Sequence, residues 1–479
     1  MSEHISPGQH MMTGTIRIFL AEVLILPTGF ITAVFLARSL GPVGYGMFAL
    51  VSRLIIWVEW TCVGGFSGTT IKFAGETQDW RPISSSAIRL HFIIGICTAA
   101  LLWLLATPIS SLLNEPDITG YIRLFSVEIP IISLASACSY ILAGTARYKE
   151  IARIRTLRLI ARLILIILLV EMGLSVKGAI LGSIAASMVE LVISWFYARP
   201  VLFHKAPFPI RRLMGFGAPL FIAELCQRIF RLELFALKAL GATAAQAGYY
   251  GAALNLTIPP VLFSRSLSYP LLSTLSSLIS RGEDLRAKEI GRTSIRSVIW
   301  LIPFAAMVAG ASKEIVILIF GEKYLAAGPI LDFLIFAAIG MLSINVSKNI
   351  LTALGKPIWT SIVSVPMIPV ALIGHLILIP LMGGAGAAIV TASVSWLGAF
   401  ASLFIIYRIW DVSLPLKSVL KGISCAILAY AIAVLWPAAN LACILKLMFI
   451  SIIILLYFRV TGEFTRDEIR MFRSIIRLP

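Results

Sequence analysis

Two apolar stretches joined by a short turn decide the fold: residues 211–272 read RRLMGFGAPLFIAELCQRIFRLELFALKALGATAAQAGYYGAALNLTIPPVLFSRSLSYPLL. Each stretch is long enough to cross the ~30 Å hydrocarbon core of a bilayer as a helix, yet the first carries Glu224, Arg228 and Arg231. These three residues are spaced i, i+4 and i+7, so they share one helix face. A charged side chain at the centre of a membrane helix costs ~2.5–3.5 kcal/mol on insertion scales. We therefore expect this face to contact protein or a water-filled cavity.

The composition of the whole chain indicates a protein that crosses the membrane many times. Of its 479 residues, 59% are hydrophobic and only 13% are charged, and the mean hydropathy is +0.95. The formal net charge of +17 would suggest nucleic-acid binding in a soluble protein. Here the basic residues fall in short loops between apolar runs, as the positive-inside rule describes. We therefore expect contact with membrane lipids and no nucleic-acid partner.

No catalytic, metal-binding or nucleotide-binding motif stands out in the sequence. The six cysteines lie in or beside apolar runs without CxxC spacing, no H-E-x-x-H pair occurs, and no Walker A loop is present. Cysteines placed in this way behave as small buried apolar residues. The sequence therefore predicts a protein that is not an enzyme and that uses no cofactor or metal.

Fourteen apolar runs of about 18–25 residues lie along the chain, each long enough to span the membrane as a helix. Their approximate bounds are 16–37, 43–65, 85–107, 118–142, 156–173, 178–198, 214–237, 246–272, 294–312, 326–347, 358–380, 384–407, 418–437 and 441–458. Loops rich in Lys and Arg follow every second run, and the C-terminal tail is also basic. This alternation predicts an even number of spans with both termini in the cytoplasm.

Short glycine-rich motifs occur twice in the chain. Residues 40–50 (LGPVGYGMFAL) join the first two spans, and residues 240–254 (LGATAAQAGYYGAAL) join spans seven and eight. Likewise, residues 178–180 (GAI) open span six and residues 386–389 (GAAI) open span twelve. Six spans per copy keep both copies in the same orientation. We predict an all-α membrane protein of about 14 transmembrane helices in parallel repeat: a six-helix lobe over 1–200, a second over 201–410, two additional helices over 411–460 and a cytoplasmic basic tail over 461–479.

Charged side chains within the spans are the candidate functional residues. The mid-span cations are Arg53, Arg228, Arg231 and Arg265. Guanidinium groups bind phosphate oxygens through two parallel hydrogen bonds and keep their charge, so these arginines predict a site for a phosphorylated substrate. The candidates for binding a coupling proton or cation are Glu22, Glu128, Glu190 and Glu224, and Glu59 is a further intramembrane acid.

Pairing within the protein is the alternative interpretation of these charges. Glu224 and Arg228 have the spacing of an i,i+4 salt bridge, and Glu128 or Glu190 could instead partner a cation on another helix. Arg162, near the inner end of its span, is expected to reach the lipid headgroups. In span eight, Pro259-Pro260 and Pro270 predict breaks beside Arg265, which would need a cavity or protein partners for the freed backbone groups.

Several short motifs also occur in the order and spacing of a known family. They are LGPxxYG at 40–46, GYYxAA at 248–253, Pro219 early in span seven, FGxxY at 320–324 and ALGKP at 353–357. With its spans grouped as six, six and two, the chain resembles the polysaccharide-transporter branch of the multidrug/oligosaccharidyl-lipid/polysaccharide flippase superfamily. That branch includes the O-antigen and exopolysaccharide repeat-unit flippases of bacteria. Each motif is short, and their order over nearly the whole chain carries the resemblance.

The resemblance implies two six-helix lobes around a cavity that opens alternately to each side of the bacterial inner membrane. It implies transport of polyprenyl-diphosphate-linked oligosaccharide for surface polysaccharide synthesis, with a polysaccharide polymerase and chain-length machinery as partners. Arginines in the early spans of each lobe bind substrate in related lipid flippases, and Arg53 and Arg265 occupy comparable places here. Relatives can bear an acidic residue beside the first turn, where this chain has Arg38, so no coupling carboxylate is expected there.

Two other functions fit parts of the sequence. A multidrug or cation antiporter of the same superfamily needs an acidic, aromatic-lined cavity, whereas the mid-span charges here are mostly cationic. A membrane-embedded polysaccharide polymerase or ligase needs an acid or base near the outer face. The external loops are short and hold few acids, chiefly Glu115, Asp117, Glu314 and Glu322. The sequence therefore favours the flippase.

Overall fold

Helices make up the part of the chain that the structure describes. The computed structural model describes residues 25–463 except 63–66, 77–78, 146, 202–207, 215–232, 357 and 413–415. No strand occurs among these residues, so the prediction of an all-α fold is confirmed for them. The helices are α1 (Ile25–Cys62), α2 (Ser67–Glu76), α3 (Arg81–Leu112), α4 (Ile118–Ser126), α5 (Glu128–Gly144), α6 (Tyr148–Leu169), α7 (Ser175–Ala198), α8 (Glu233–Ala239), α9 (Ala244–Leu256), α10 (Ile258–Ser280), α11 (Asp284–Ile299), α12 (Ile302–Gly310), α13 (Ser312–Phe320), α14 (Gly328–Ala353), α15 (Ile358–Trp410), α16 (Leu416–Leu435) and α17 (Leu441–Val460).

Nine helical segments in this described part are long and apolar enough to cross a membrane. They are Pro27–Thr61, Arg81–Leu112, Ile118–Gly144, Tyr148–Ala198, Asp284–Gly310, Glu322–Ala353, Ile358–Trp410, Leu416–Leu435 and Leu441–Val460. Three of them contain a glycine with a positive φ: Gly41 at +69°, Gly173 at +86° and Gly383 at +56°. Each of these glycines lies at or beside a loop that the sequence predicts between two spans.

The longest of these segments is a helical hairpin. Ile358–Trp410 has 53 residues and would measure ~80 Å as a straight helix, far more than the ~30 Å of hydrocarbon. It breaks at Gly383, whose backbone lies in a region that favours glycine. Residues on either side of the break contact each other, because a Cβ on Gly374 would lie 2.9 Å from the Val390 Cγ1 atom. α15 is therefore two antiparallel helices.

α6 and α7 form a second hairpin. A π turn, Val170–Leu174, separates them and contains Gly173 in the left-handed region. Across this turn, a Cβ on Gly182 would lie 2.8 Å from the Ile166 Cα atom. The absence of a side chain at residue 182 lets the two helix backbones approach closely, as small residues do between membrane helices.

Gly178 and Gly386 occupy equivalent positions in the sequence repeat and have the same packing role. A Cβ on Gly178 would lie 2.7 Å from the carbonyl oxygen of Leu169. A Cβ on Gly386 would overlap the carbonyl oxygen of Leu378 in the other hairpin. In both hairpins, the glycine just after the turn is required because the preceding helix occupies the space of its side chain.

Span eight is broken immediately before its pair of prolines. α9 and α10 are separated by Thr257, and Pro259-Pro260 lies in the first turn of α10, where a missing N–H removes no helical hydrogen bond. α10 continues through residue 270, so the prediction of a break at Pro270 is wrong. Neighbouring groups can satisfy the backbone around a proline within a membrane helix.

The chain divides into two compact units, Met1–Gly251 and Ala252–Pro479. In the first unit, buried apolar side chains of α3, α5, α6 and α7 form one core that includes Ile88, Cys138 and Ile154. In the second, α12 packs closely on α16, because a Cβ on Gly310 would lie 2.8 Å from the Ala433 Cβ atom. The lobe boundaries near residues 200 and 410 stay predictions.

Candidate functional site

The predicted site residues differ in how much of them the structure describes. Outside the described residues lie Glu22, Glu224, Arg228 and Arg231. Arg265 lies on α10, where its backbone is described and its side chain is not. Arg53 lies on α1 with an exposed side chain. Glu128 and Glu190 are buried, at 5% and 6% exposure.

A single arginine of α6 joins the two buried glutamates. Arg158 Nε lies 3.0 Å from Glu190 Oε2, and its NH2 group lies 3.9 Å from Glu128 Oε1. Glu128 begins α5 and Glu190 lies on α7, so one guanidinium group connects three helices. The Arg158 side chain keeps 28% exposure, so the cluster is accessible from the side of the arginine.

Hydrogen bonding distinguishes the two carboxylates. Ser187 donates a hydrogen bond of 2.5 Å to Glu128 Oε1, and it precedes Glu190 by one helical turn, so both face the cluster. Glu190 Oε2 has an ion pair with Arg158 but no hydrogen-bond donor among the described residues. A buried carboxylate oxygen without a donor is unfavourable, which distinguishes Glu190 Oε2 from Glu128 Oε1.

Two further charged residues complete this cluster. Glu59 of α1 is close enough to interact electrostatically with Arg158, Glu128 and Glu190. Arg162 lies one turn after Arg158 and interacts with Glu128 and Glu59, and its Nε has no hydrogen-bond partner among the described residues. Arg162 therefore lies close enough to these acids to interact with them electrostatically, and its predicted contact with the headgroups stays a prediction. We call Glu59, Glu128, Arg158, Arg162 and Glu190 the charge cluster.

The sequence signal for the charge cluster was incomplete. Glu128 and Glu190 stood out as intramembrane acids without a local partner, and pairing across helices was one of the interpretations left open. Arg158 was missed, although its i,i+4 spacing with Arg162 places both on one face of span five. Spans two, four, five and six bring these charges together. Helical periodicity cannot predict this arrangement, because it depends on tertiary packing.

A second ion pair lies at the ends of predicted spans, in loops that the sequence predicts to be external. Lys238 of α8 is 2% exposed, and its Nζ lies 2.5 Å from Oε2 of Glu115, in the loop between α3 and α4. A buried ammonium group needs such a partner, because removing a charge from water is otherwise costly. The pair fastens α8 to the α3–α4 loop within the first unit.

Within the first unit, the two repeated glycine motifs contact each other at Gly46 and Gly248. A Cβ on Gly46 would lie 2.8 Å from the Gly248 nitrogen and would overlap the carbonyl oxygen of Ala244. A Cβ on Gly248 would lie 3.2 Å from the Gly46 nitrogen and would overlap the carbonyl oxygen of Pro42. Only glycine at both positions permits this approach of the two backbones.

Ion pairs also hold the last two helices in the second unit. Lys446 of α17 is fully buried, and its Nζ lies 2.6 Å from Glu314 Oε2 on α13. At the other end of α17, Glu463 Oε2 lies 3.4 Å from Lys421 Nζ on α16, and the Trp300 Nε1 donates to Glu463 at 3.3 Å. These contacts fix spans thirteen and fourteen rather than form a site.

The family is shown by a match over more than half of the chain. Residues 35–329 match the family model described as "Polysaccharide biosynthesis protein". The chain belongs to this family. A probable low-salt glycan biosynthesis flippase of Haloferax volcanii is 25% identical over 386 residues, which cover 79% of each chain. The lipopolysaccharide biosynthesis protein WzxC of Escherichia coli K12 is 22% identical over 325 residues, which cover 66% of this chain and 64% of WzxC.

Solved structures with the same fold come from two kinds of transporter. The lipid II flippase MurJ in an inward closed conformation superposes with a TM-score of 0.76, at 15% identity, over 97% of this chain and all of that one (100%). An inward-facing multidrug resistance transporter of the MATE family gives a TM-score of 0.57, at 14% identity, over 87% of this chain and 95% of that one. The family match and the flippase relatives confirm the predicted superfamily, and the fold resembles MurJ more than MATE.

Proposed function

We propose that this protein is a flippase that moves polyprenyl-diphosphate-linked oligosaccharide repeat units from the inner to the outer leaflet of the bacterial inner membrane. The product would supply O-antigen of lipopolysaccharide, exopolysaccharide or capsule. The observation that carries the proposal is the match to a relative named as a glycan biosynthesis flippase, over 79% of both chains. A polysaccharide polymerase and chain-length machinery would act on the product and are proposed partners.

The proposal includes fourteen spans with both termini in the cytoplasm. It places a six-helix lobe at 1–200, a second at 201–410, two additional helices at 411–460 and a basic tail at 461–479. Support comes from the two hairpins, since α6–α7 and α15 each fold back at a glycine where the sequence predicts a loop. The alternation of basic loops supports the orientation.

For the substrate, the proposal assigns the diphosphate to arginines. Arg53, Arg228, Arg231 and Arg265 are the proposed ligands, because guanidinium groups stay charged and bind phosphate oxygens in pairs. The exposed side chain of Arg53 supports this role, since it has not been withdrawn into the protein core. Arg158 and Arg162 add cations to the first unit, although Glu59, Glu128 and Glu190 compete for them.

For energy coupling, the proposal assigns acids. Glu22, Glu128, Glu190 and Glu224 are the proposed sites for a coupling proton or cation. The charge cluster supports the second and third of these, because a cation that bound Glu190 would displace Arg158 from it. The released guanidinium would then be able to bind an anionic substrate. Cation binding and diphosphate binding would thus be linked through one side chain.

Transport would proceed by alternating access between a state open to the inner side and a state open to the outer side of the membrane. Lys238–Glu115 and the contact between Gly46 and Gly248 support closure at the outer ends of the spans. To release the oligosaccharide outward, these contacts would separate. Opening would break the ion pair and the backbone contact together. The closed state is therefore favoured until the free energy of substrate binding offsets the loss of these two contacts.

Complementation tests this function directly. The gene should restore surface polysaccharide in a strain that lacks its own repeat-unit flippase and supplies a matching oligosaccharide, and Arg53→Ala should not restore it at equal abundance. The second candidate function is a multidrug antiporter, which the MATE-like structures favour at a lower TM-score. Export of cationic drugs without restoration of polysaccharide would support that alternative.

A further inference from the structure

A cavity of about 690 Å³ opens at the outer end of the first unit. Three parts of the chain form it: the start of span two, the start of span four, and the turn between α6 and α7. Its lining residues are Met47, Asp117, Gly120, Tyr121, Leu124, Leu174, Lys177 and Leu181. A volume of this size is typical of small-molecule and lipid-headgroup sites.

Two opposite charges in this cavity have no partner of their own. Asp117 and Lys177 are both exposed, and neither forms an ion pair within the described part of the chain. Asp117 immediately precedes α4 but does not cap it through its side chain. Lys177 lies in the first turn of α7, where the helix dipole also favours an anion. The cavity therefore offers one anionic and one cationic contact to the same ligand.

A second cavity of about 580 Å³ lies along α7. The two cavities share Leu181, and the second is lined only by apolar side chains: Leu169, Leu181, Ile184, Ala185, Met188, Val189, Val192 and Ile193. The residues from 181 to 193 recur at helical spacing and form one stripe of ~18 Å. Such a stripe matches an extended hydrocarbon chain.

We propose that these two neighbouring cavities together bind a zwitterionic glycerophospholipid with a primary ammonium group, as in phosphatidylethanolamine. Asp117 accepts hydrogen bonds from the ammonium, Lys177 binds the phosphate, and one acyl chain lies along the stripe of α7. A polyprenyl diphosphate fits less well, because Asp117 would repel its additional negative charge. A choline headgroup has no N–H group, so it cannot donate a hydrogen bond to the Asp117 carboxylate. This proposal does not depend on the proposed function.

Native mass spectrometry of the whole protein tests the proposal. The protein is released from nanodiscs that contain equal amounts of dioleoyl-phosphatidylethanolamine and dioleoyl-phosphatidylcholine, and retained lipids are counted. We expect phosphatidylethanolamine to be preferred about tenfold in wild type, as one charge-assisted hydrogen bond would give. Asp117→Asn should remove the preference. Lys177→Gln should lower retention of both lipids, because both carry the phosphate, and Ala185→Phe should do the same by filling the stripe.

Matched variants show whether these effects come from the cavity. Glu171→Gln removes another exposed carboxylate beside the same turn, and Lys323→Gln removes an exposed lysine elsewhere; neither residue lines the cavity, and neither change should alter retention. Equal retention of the two lipids by wild type would overturn the proposal, as would an unchanged preference in Asp117→Asn. A preference for phosphatidylglycerol in a third nanodisc mixture would also contradict it.

Discussion

At the scale of single residues, Arg158 determines the state of the charge cluster. Its guanidinium group lies 3.9 Å from Glu128 and 3.0 Å from Glu190. Pairing of this kind is required by burial, since an unpaired carboxylate in a low-dielectric region is strongly unfavourable. A structural role and a coupling role are compatible here, and they predict different responses to mutation.

Arg158→Met should lower the amount of folded protein. The change removes the cation that pairs with both buried carboxylates, which we expect to cost about 3–5 kcal/mol. Fluorescence-detected gel filtration of detergent extracts measures the folded fraction. The triple variant with Glu128→Gln and Glu190→Gln should recover abundance, because no charge then lacks a partner. Normal abundance of Arg158→Met alone would show that the pairing is not needed for stability.

Arg53→Ala should abolish flipping without lowering abundance, because the side chain is exposed and its removal strands no partner in the core. Arg53→Lys should retain partial activity, since the charge is kept and the two-point contact is lost. The readout is surface polysaccharide divided by membrane abundance. Arg286→Ala, which removes an arginine with 75% side-chain exposure in a predicted loop, is the control and should be silent. Full activity of Arg53→Ala would remove this residue from the site.

Single residues also show where sequence reasoning ends. Glu128 and Glu190 were identified because an acid within an apolar span is costly wherever it lies. Their partner was not identified, because Arg158 lies near the inner end of its span and resembles an ordinary headgroup contact. Lys238 and Glu115 likewise appear in the sequence as two external charges, and their burial against each other depends on tertiary packing.

At the scale of elements, the tight turns between helices carry much of the fold. Gly178 and Gly386 allow the two helices of a hairpin to approach within the space that a side chain would occupy. The apolar runs and their connecting glycines could be predicted from the sequence because length and backbone freedom are local properties. The continuation of α10 through Pro270 could not be predicted from the sequence, because it depends on neighbouring groups that form hydrogen bonds with the freed backbone groups.

Gly178→Ala and Gly386→Ala should each destabilise the protein by about 1–3 kcal/mol, as overpacking does. In both cases the new methyl group would collide with a backbone carbonyl oxygen, which cannot rotate away. Thermal unfolding in detergent, followed by gel filtration, gives the comparison. Gly120→Ala on α4 is the matched control, because its Cβ would meet nothing within 4 Å, and it should unfold at the wild-type temperature. Equal behaviour of all three would show that the hairpins tolerate wider spacing.

At the scale of the whole molecule, the arrangement of charges predicts the orientation in the membrane. In a variant without the native cysteines, Glu322→Cys should be labelled in intact cells by an impermeant maleimide, whereas Arg286→Cys should require permeabilisation. Both side chains lie in solvent-accessible positions, so access depends on the side of the membrane. Labelling of residue 286 from outside would invalidate the orientation and the count of fourteen spans.

The fold of the whole molecule was accessible from sequence to the level of a superfamily. Apolar runs, loop charges and ordered motifs predicted an all-α membrane transporter; the family match confirms the superfamily, and the MurJ-like structure shows the fold. The substrate path is harder to predict, because it depends on which charged faces come together. The functional proposal therefore rests more on the family and its flippase relatives than on the described side chains.

Translocation by the purified protein is the most direct test of the central proposal. Liposomes that contain the protein and a fluorescent polyprenyl-diphosphate oligosaccharide are treated with an external glycosidase, which cleaves only the outer leaflet. We predict that wild-type protein makes nearly all of the lipid-linked sugar accessible, and that Arg53→Ala liposomes release only the half already outside. Protection of the inner half in the presence of correctly folded wild-type protein, under an imposed proton or sodium gradient, would contradict the assignment as a flippase.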